Sequence, residues 1–381
     1  MWESLTVQEV VEIAKDPHPS LREWKAKTGR PIIGSTLADV PEEIIYAFGL
    51  LPSTIIGTPK PLKRAPSLLP DNACSLARSS LELILSYEGD IFDGYVLPQV
   101  CDTTQHLSDI WRIHTPDKYF ESFLAPRQLD RDSAAFWTRK EIERLIDSLE
   151  RFSGRRIARS DIERSIRVHN ENKRLLLDLY ELKRRSPLTL TNKAFFSMIR
   201  LSMQVDKEEM NETLRRLKDE LEEKGDGDFK RVLLAGITVA PMEVFDLFDE
   251  LWLNVVADTL VTGSRYLEGI VDEKKDPVDA LVERHLRRSF FSPIHRDVFE
   301  GERQLKRLFE EVRPSAVVYA HLEFCESEEY DLPDLKAAMK DWGIPMHVLE
   351  TEFQTTSLSR ERTRLEAFFE SLKEKGYGRQ A

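Results

Sequence analysis

Short runs of branched aliphatic and aromatic residues recur along this chain between segments whose apolar residues fall at three and four spacing. That alternation constrains the fold more than any single motif. Strands are expected at Pro31–Ser35, Tyr95–Gln99, Phe120–Ala125, Arg231–Val239, Val255–Leu260, Ala316–His321 and Met346–Glu350. Helical spacing is read over Glu42–Phe48, Ala73–Ser86, Met242–Leu251 and Asp334–Trp342. Strands separated by helices pair in parallel, because the crossover helix carries the chain back to the same end of the sheet.

The expected class is therefore α/β, with two doubly wound, flavodoxin- or Rossmann-like parallel-sheet domains joined by a helical connector. A single core stops growing near about 250 residues, and the chain has 381. Residues 1–28 read as an N-terminal helical segment, 29–137 as the first α/β domain and 225–381 as the second. Between them, 138–224 carries almost no strand signal. Within it 160-SDIERSIRVHNENKRLLLDLYELKRRS-186 reads as one long amphipathic helix, capped by Ser160 and stopped before Pro187. The stretch 206–224, with opposite charges at helical spacing, reads as a solvated helix face.

Charge and hydropathy exclude several classes of partner. A formal charge of −12 argues against a nucleic-acid binder, which needs a basic face to displace counterions. The longest nearly apolar run, 232-VLLAGITVAPM-242, is too short to cross a bilayer, and the first 20 residues lack the basic and apolar regions of a signal peptide. The expectation is a cytoplasmic protein with no membrane and no nucleic-acid partner. Neither G-x-x-x-x-G-K-[ST] nor G-x-G-x-x-G occurs, so no nucleotide fingerprint supports ATP or NAD binding.

Three cysteines, Cys74, Cys101 and Cys325, are an odd number without C-x-x-C spacing, which disfavours a disulfide framework and a zinc finger. Cys101 and Cys325 follow expected strands, and Cys74 opens an expected helix. In an open parallel sheet, ligands bind beyond the carboxyl ends of the strands. A helix N-terminus supplies free amides that favour the thiolate a metal needs. Free cysteine is also a common small core residue, so spacing alone leaves both readings open.

Longer segments carry a resemblance. The stretch 31-PIIGSTLADVPEEIIYAFGLLP-52, the cysteine in ACSLARSSLEL, the D-G-x-x-x-P-x-x-C-D around Cys101, VVADTLVTGSRY, HLEFCESEEYDLP and the closing 364-RLEAFFE-370 occur in that order. Together they resemble the benzoyl-CoA reductase and 2-hydroxyacyl-CoA dehydratase family over most of the chain. The resemblance implies that Cys74, Cys101 and Cys325 bind a [4Fe-4S] cluster with one iron lacking a cysteine ligand. A fourth cysteine would close the cluster as an electron carrier, whereas three leave a coordination position for chemistry. It also implies an acyl-CoA substrate, a paralogous cluster-bearing subunit, and a separate ATP-hydrolysing iron-sulfur activator, so that ATP is not bound here. With no cysteine beyond the three, a double cluster within this chain is not expected. The segments 79–111 and 153–187 look closest to subunits of class I benzoyl-CoA reductases, which pass single electrons to an aromatic acyl-CoA ring. In the 2-hydroxyacyl-CoA dehydratases one electron instead makes a ketyl radical that expels water.

Other side chains are candidates for supporting roles. His106, one turn beyond Asp102, is a candidate proton donor, and His114 a weaker one. Lys60, Lys63 and Arg64, in the loop before Cys74, are candidate contacts for acyl-CoA phosphates. Asp258, Gly263 and Arg265 follow another strand, where Arg265 could pair with a carboxylate or phosphate as readily as form a structural ion pair. Glu350, Glu352 and Arg364 read by default as capping or interdomain ion-pair residues.

Overall fold

The computed structural model describes residues 2–36, 39–289, 292–294, 297 and 299–374. Two helices, α1 (Val7–Lys15) and α2 (His18–Thr28), precede the first sheet. The first unit then runs β1 (Ile32–Ser35), α3 (Glu42–Ala47), β2 (Leu51–Thr54), α4 (Ser75–Leu85), β3 (Gly94–Pro98), α5 (Asp102–His114), β4 (Tyr119–Phe123) and α6 (Ala134–Ser153). Three helices follow without a strand: α7 (Arg159–Arg185), α8 (Asn192–Ser202) and α9 (Lys207–Glu220). The second unit is β5 (Lys230–Gly236), α10 (Glu243–Glu250), β6 (Leu253–Asp258), α11 (Ser264–Leu267), α12 (Pro277–Leu286), α13 (Glu300–Val312), β7 (Ala316–Leu322), α14 (Glu326–Asp341), β8 (Met346–Thr351) and α15 (Ser359–Glu374).

Both sheets are parallel and four-stranded, ordered β2-β1-β3-β4 and β6-β5-β7-β8. Each is wound in the same sense. The second strand flanks the first on one side and the third flanks it on the other, which opens a crevice at the carboxyl ends of strands one and three. Alternating side chains divide between two faces: Ile32, Tyr95 and Leu97 join one core with α4 and α5, while Ile33, Val96 and Phe123 join another with α3 and α6. In the second sheet Leu233, Val317 and Tyr319 pack on α13 and α14, whereas Val232, Leu234 and Val318 face α8, α10 and α15. The α/β class with doubly wound parallel sheets is thus the observed fold. The core under α8 is continuous from the first sheet to the second, so this helix, buried along most of its length, is interior to both.

Several local expectations are corrected. The strand β2 lies outside the expected set because Pro52 falls inside it; it is an edge strand, where a missing ladder donor is tolerated. The helix expected from Asp334 begins eight residues earlier, at Glu326, and runs through Pro333. Ser160 does not cap α7. The cap is Ala158, whose amide donates to Asp161 at 2.9 Å. The segment 206–224 is solvated on one side only: Asp206 caps α9, and Lys207, Met210, Leu214 and Leu217 are buried. Lys207 Nζ reaches Glu42 Oε2 at 3.1 Å. No helix among the described residues is long and apolar enough to cross a membrane.

Candidate metal centre

Each of the three cysteines is the N-cap of a helix: Cys74 of α4, Cys101 of α5 and Cys325 of α14. Cys101 and Cys325 occupy equivalent places, following the third strand of each sheet beside its crevice, and Cys74 opens the helix that leads to β3. All three are partly buried and free of disulfides. Backbone amides at the helix starts point at the sulfurs. Leu76 and Ala77 donate to Cys74, Thr104 to Cys101 and Glu328 to Cys325. The Thr104 hydroxyl fixes the Cys101 turn by accepting from the Val100 amide at 2.9 Å and the Cys101 amide at 3.0 Å.

The thiols also feel one another. Burial, with smaller contributions from the charges of Cys101 and Glu328, pushes the Cys74 thiol up to about 11 against the opposing helix amides. Burial raises Cys325 more strongly, with Glu328, Cys74 and Cys101 all adding. Residues 27 and 224 positions apart in sequence thus share one electrostatic site. A cationic group would relieve that mutual repulsion, and three helix N-termini favour the anionic thiolates it would bind. Among the described residues no three of His, Cys, Asp and Glu lie close enough to hold a single metal ion. Three thiols are the donor type that an iron-sulfur cluster takes.

Glu328 is a participant that sequence reasoning missed. Its side chain is fully buried; Oε1 accepts from the Ile237 amide at 2.8 Å and the Tyr319 hydroxyl at 3.1 Å, and the carboxyl also interacts with the Cys325 thiol. Burial pushes its pKa up to about 7. The amide that it holds is presented by Gly236, at φ 128°, where a Cβ would lie 2.2 Å from Ala320 O. The available signal was its position, three residues after Cys325 in the first turn of the helix. The turn itself is strained, since Phe324 adopts φ 61°, a left-handed conformation unusual for a bulky residue.

The remaining candidates are distributed unevenly. His106 lies on the exposed side of α5, one turn from Cys101, and His114 is exposed at the end of that helix. Lys60 is already paired with Glu88, whereas Lys63 and Arg64 are exposed and have no carboxylate within ion-pair distance among the described residues. The backbone of that loop is anchored by Glu82, which accepts from the Arg64 and Ala65 amides at 2.7 and 2.9 Å. Asp258 is buried and structural, taking hydrogen bonds from the Tyr180 hydroxyl at 2.6 Å and the Ser264 amide at 2.8 Å, and a Cβ on Gly263 would collide with it. Arg265 is buried and bonds Ser289 O at 2.7 Å. Glu352 pairs with Arg78, and Arg364 lies 3.4 Å from Glu361 and 3.8 Å from Glu350.

A family profile described as "2-hydroxyglutaryl-CoA dehydratase, D-component" matches residues 38–372. The chain is 24% identical to the (R)-phenyllactyl-CoA dehydratase beta subunit of Clostridium sporogenes, across 95% of this chain and 97% of that one. It is 29% identical to a benzoyl-CoA reductase subunit of Thauera aromatica, across 85% and 86% respectively. It is 26% identical to the (R)-2-hydroxyglutaryl-CoA dehydratase beta subunit of Acidaminococcus fermentans, across 97% and 99%. With nearly the whole chain matched, and the relatives matched over nearly their whole length, the chain belongs to the 2-hydroxyglutaryl-CoA dehydratase D-component family, whose relatives here are subunits of acyl-CoA dehydratases and of benzoyl-CoA reductase.

Proposed function

We propose that Cys74, Cys101 and Cys325 hold a [4Fe-4S] cluster with one iron free of cysteine, and that the chain is a subunit of an ATP-dependent benzoyl-CoA reductase-type complex. The observation that carries this reading is the convergence of three thiols, each at a helix N-terminus, on one electrostatically coupled site. When bound, the cluster supplies low-potential single electrons, which reach it from a separate ATP-hydrolysing iron-sulfur activator. The chain's own residues provide the setting. Amides of Ala77, Thr104 and Glu328 hold the thiolates, and Ile237, Leu129, Val261 and Ile294 form an apolar wall against Cys325 that excludes water. In this reading Lys63 and Arg64 offer charge to acyl-CoA phosphates, with Lys60 joining them if it leaves Glu88, and His106, exposed on α5, is the proton donor. The complex is completed by a paralogous subunit that bears a cluster of its own.

A radical 2-hydroxyacyl-CoA dehydratase is the second reading. The higher identity favours the reductase, at 29%, while the dehydratase beta subunits match more of the chain. A third role, electron relay without substrate contact, shares the cluster but not the pocket. The deciding assay combines the reconstituted complex with activator, ATP and a strong reductant under anaerobiosis. Benzoyl-CoA reduced to a dienoyl-CoA, with two electrons and two protons taken up, supports the proposal. Dehydration of a 2-hydroxyacyl-CoA with catalytic electron use overturns it in favour of the second reading, and a cluster spectrum indifferent to either thioester favours relay.

A further inference from the structure

A polar cavity of about 250 Å³ opens at the amino-terminal end of the first sheet, away from the thiols. Arg30, which precedes β1, and Gly49, which precedes β2, form one side of it. Arg155, in the turn between α6 and α7, and Arg164, in α7, form another. Three carboxylates, Asp161, Glu208 and the buried Asp206, serve the other two arginines and leave Arg30 aside. Arg155 bonds Asp161 at 3.1 Å, but that carboxylate also caps the Ala158 amide at 2.9 Å. Arg164 bonds Glu208 at 2.8 Å. Arg30 has no carboxylate within ion-pair distance among the described residues. Its Nε donates to Gly49 O, and its guanidinium lies 5.3 Å over the Trp24 ring.

Two of these guanidiniums converge. A methyl group on Gly49 would lie 3.4 Å from Arg155 Nη1 and 3.6 Å from Arg30 Nη2. Gly49 has φ 78°, so the position favours glycine and keeps the space before both arginines clear. Arg30 has no carboxylate of its own among the described residues, Arg155 shares Asp161 with the Ala158 amide, and paired guanidinium forks match the oxygens of a tetrahedral oxyanion. We propose that this cavity binds the phosphate group of a phosphorylated small molecule between Arg30 and Arg155. The site is independent of the cluster reading, because it lies at the other end of the sheet and uses none of the same residues.

The test is calorimetric titration of the full-length protein with inorganic phosphate in a low-salt zwitterionic buffer, where screening of exposed arginines is weakest. Wild-type protein is expected to bind saturably at one site. Loss of one charge-assisted bond in Arg155→Gln should weaken binding about tenfold. Arg155 is exposed and bonds only Asp161, so that variant should fold normally. Arg30→Lys keeps the charge but loses the fork, and should weaken binding as well. Absence of saturable binding, or affinity unchanged in both variants, overturns the proposal. Displacement of phosphate by CoA but not by dephospho-CoA assigns the anion to the coenzyme's 3′-phosphate. Displacement by neither assigns it to free phosphate or another phosphomonoester.

Discussion

Arg78 Nη2 lies 2.8 Å from Glu352 Oε1, joining the first turn of α4 to the turn after β8. Arg78 is one helical turn from Cys74, whose carbonyl accepts its amide at 3.2 Å. The same seam carries the Phe353 amide on Ser75 Oγ at 3.3 Å and the Gln354 side-chain amide on Thr58 O at 3.1 Å. β8 pairs directly with β7, the strand that delivers Cys325. This seam therefore sets how far Cys74, from one half of the chain, sits from Cys325 in the other.

Breaking the pair should loosen the centre before it unfolds the chain. Arg78 is 12% exposed and Glu352 27% exposed, so Arg78→Met should cost about 1–3 kcal/mol rather than abolish folding. Iron retained after anaerobic gel filtration is expected to fall, with Arg78→Lys recovering part of it. Wild-type iron retention in Arg78→Met would mean that the seam does not position the thiols.

Replacing a thiol tests the ligand assignment directly. Cys101→Ala removes a partly exposed sulfur and should change stability little, yet iron content and the reduced-cluster resonance signal should drop sharply. About four irons per chain are expected in the wild type if the proposed cluster is present. An unaltered signal in the variant would remove Cys101 from the site.

The three cysteines were legible as candidates because two follow strands and one opens a helix, and the strand-helix alternation already implies the parallel sheets. Their partners were not legible. Arg78 and Glu352 are 274 positions apart, and nothing in either neighbourhood specifies the other. Glu328 reads as one acid among several in CESEEYD, and only its burial against Ile237 and Tyr319 distinguishes it. The acidic pair in PEEII looks like an ordinary helix start with acids near the positive dipole. Both glutamates are instead buried, Glu42 against Lys207 and the Tyr266 hydroxyl, Glu43 against Arg284. Lys207 misleads for the same reason: a lysine among charges looks solvated until the fold supplies its partner.

The Glu43–Arg284 pair yields a stability prediction. It ties α3 to α12, with side-chain exposures of 3% and 7%, and the guanidinium holds the Glu43 carboxyl well below the usual carboxylate range against its burial. Removing one partner leaves the other charge buried without compensation, so Arg284→Met should lower stability by about 3–5 kcal/mol in urea unfolding. The double variant Glu43→Gln, Arg284→Met should lose less than the single one. If the single variant lost under about 1 kcal/mol, on the scale of an exposed pair, the burial of this pair would be refuted.

His285, beside that pair on α12, makes stability depend on pH in a window that can be named in advance. Burial lowers its pKa from 6.5 to about 4, with the Arg288 and Arg127 guanidiniums adding to the effect and Asp39 opposing it. The folded protein therefore keeps the ring neutral where the unfolded chain protonates it. Between pH 6.5 and 4 the unfolded state binds more protons, so the contribution is fully present above 6.5 and is lost as pH falls toward 4. The loss attributable to this ring should reach roughly 3 kcal/mol at the acid end. Asp39 and Glu43, both held well below their ordinary values of 3.8 and 4.5, begin to lose their own contributions as pH falls toward those values, so the ring's effect stands alone between pH 6.5 and about 5. Urea midpoints measured from pH 7 to pH 4 should fall more steeply for the wild type than for His285→Gln, which cannot take up the proton. Parallel slopes for the two proteins would show that the ring is already solvated, or already charged, in the folded state.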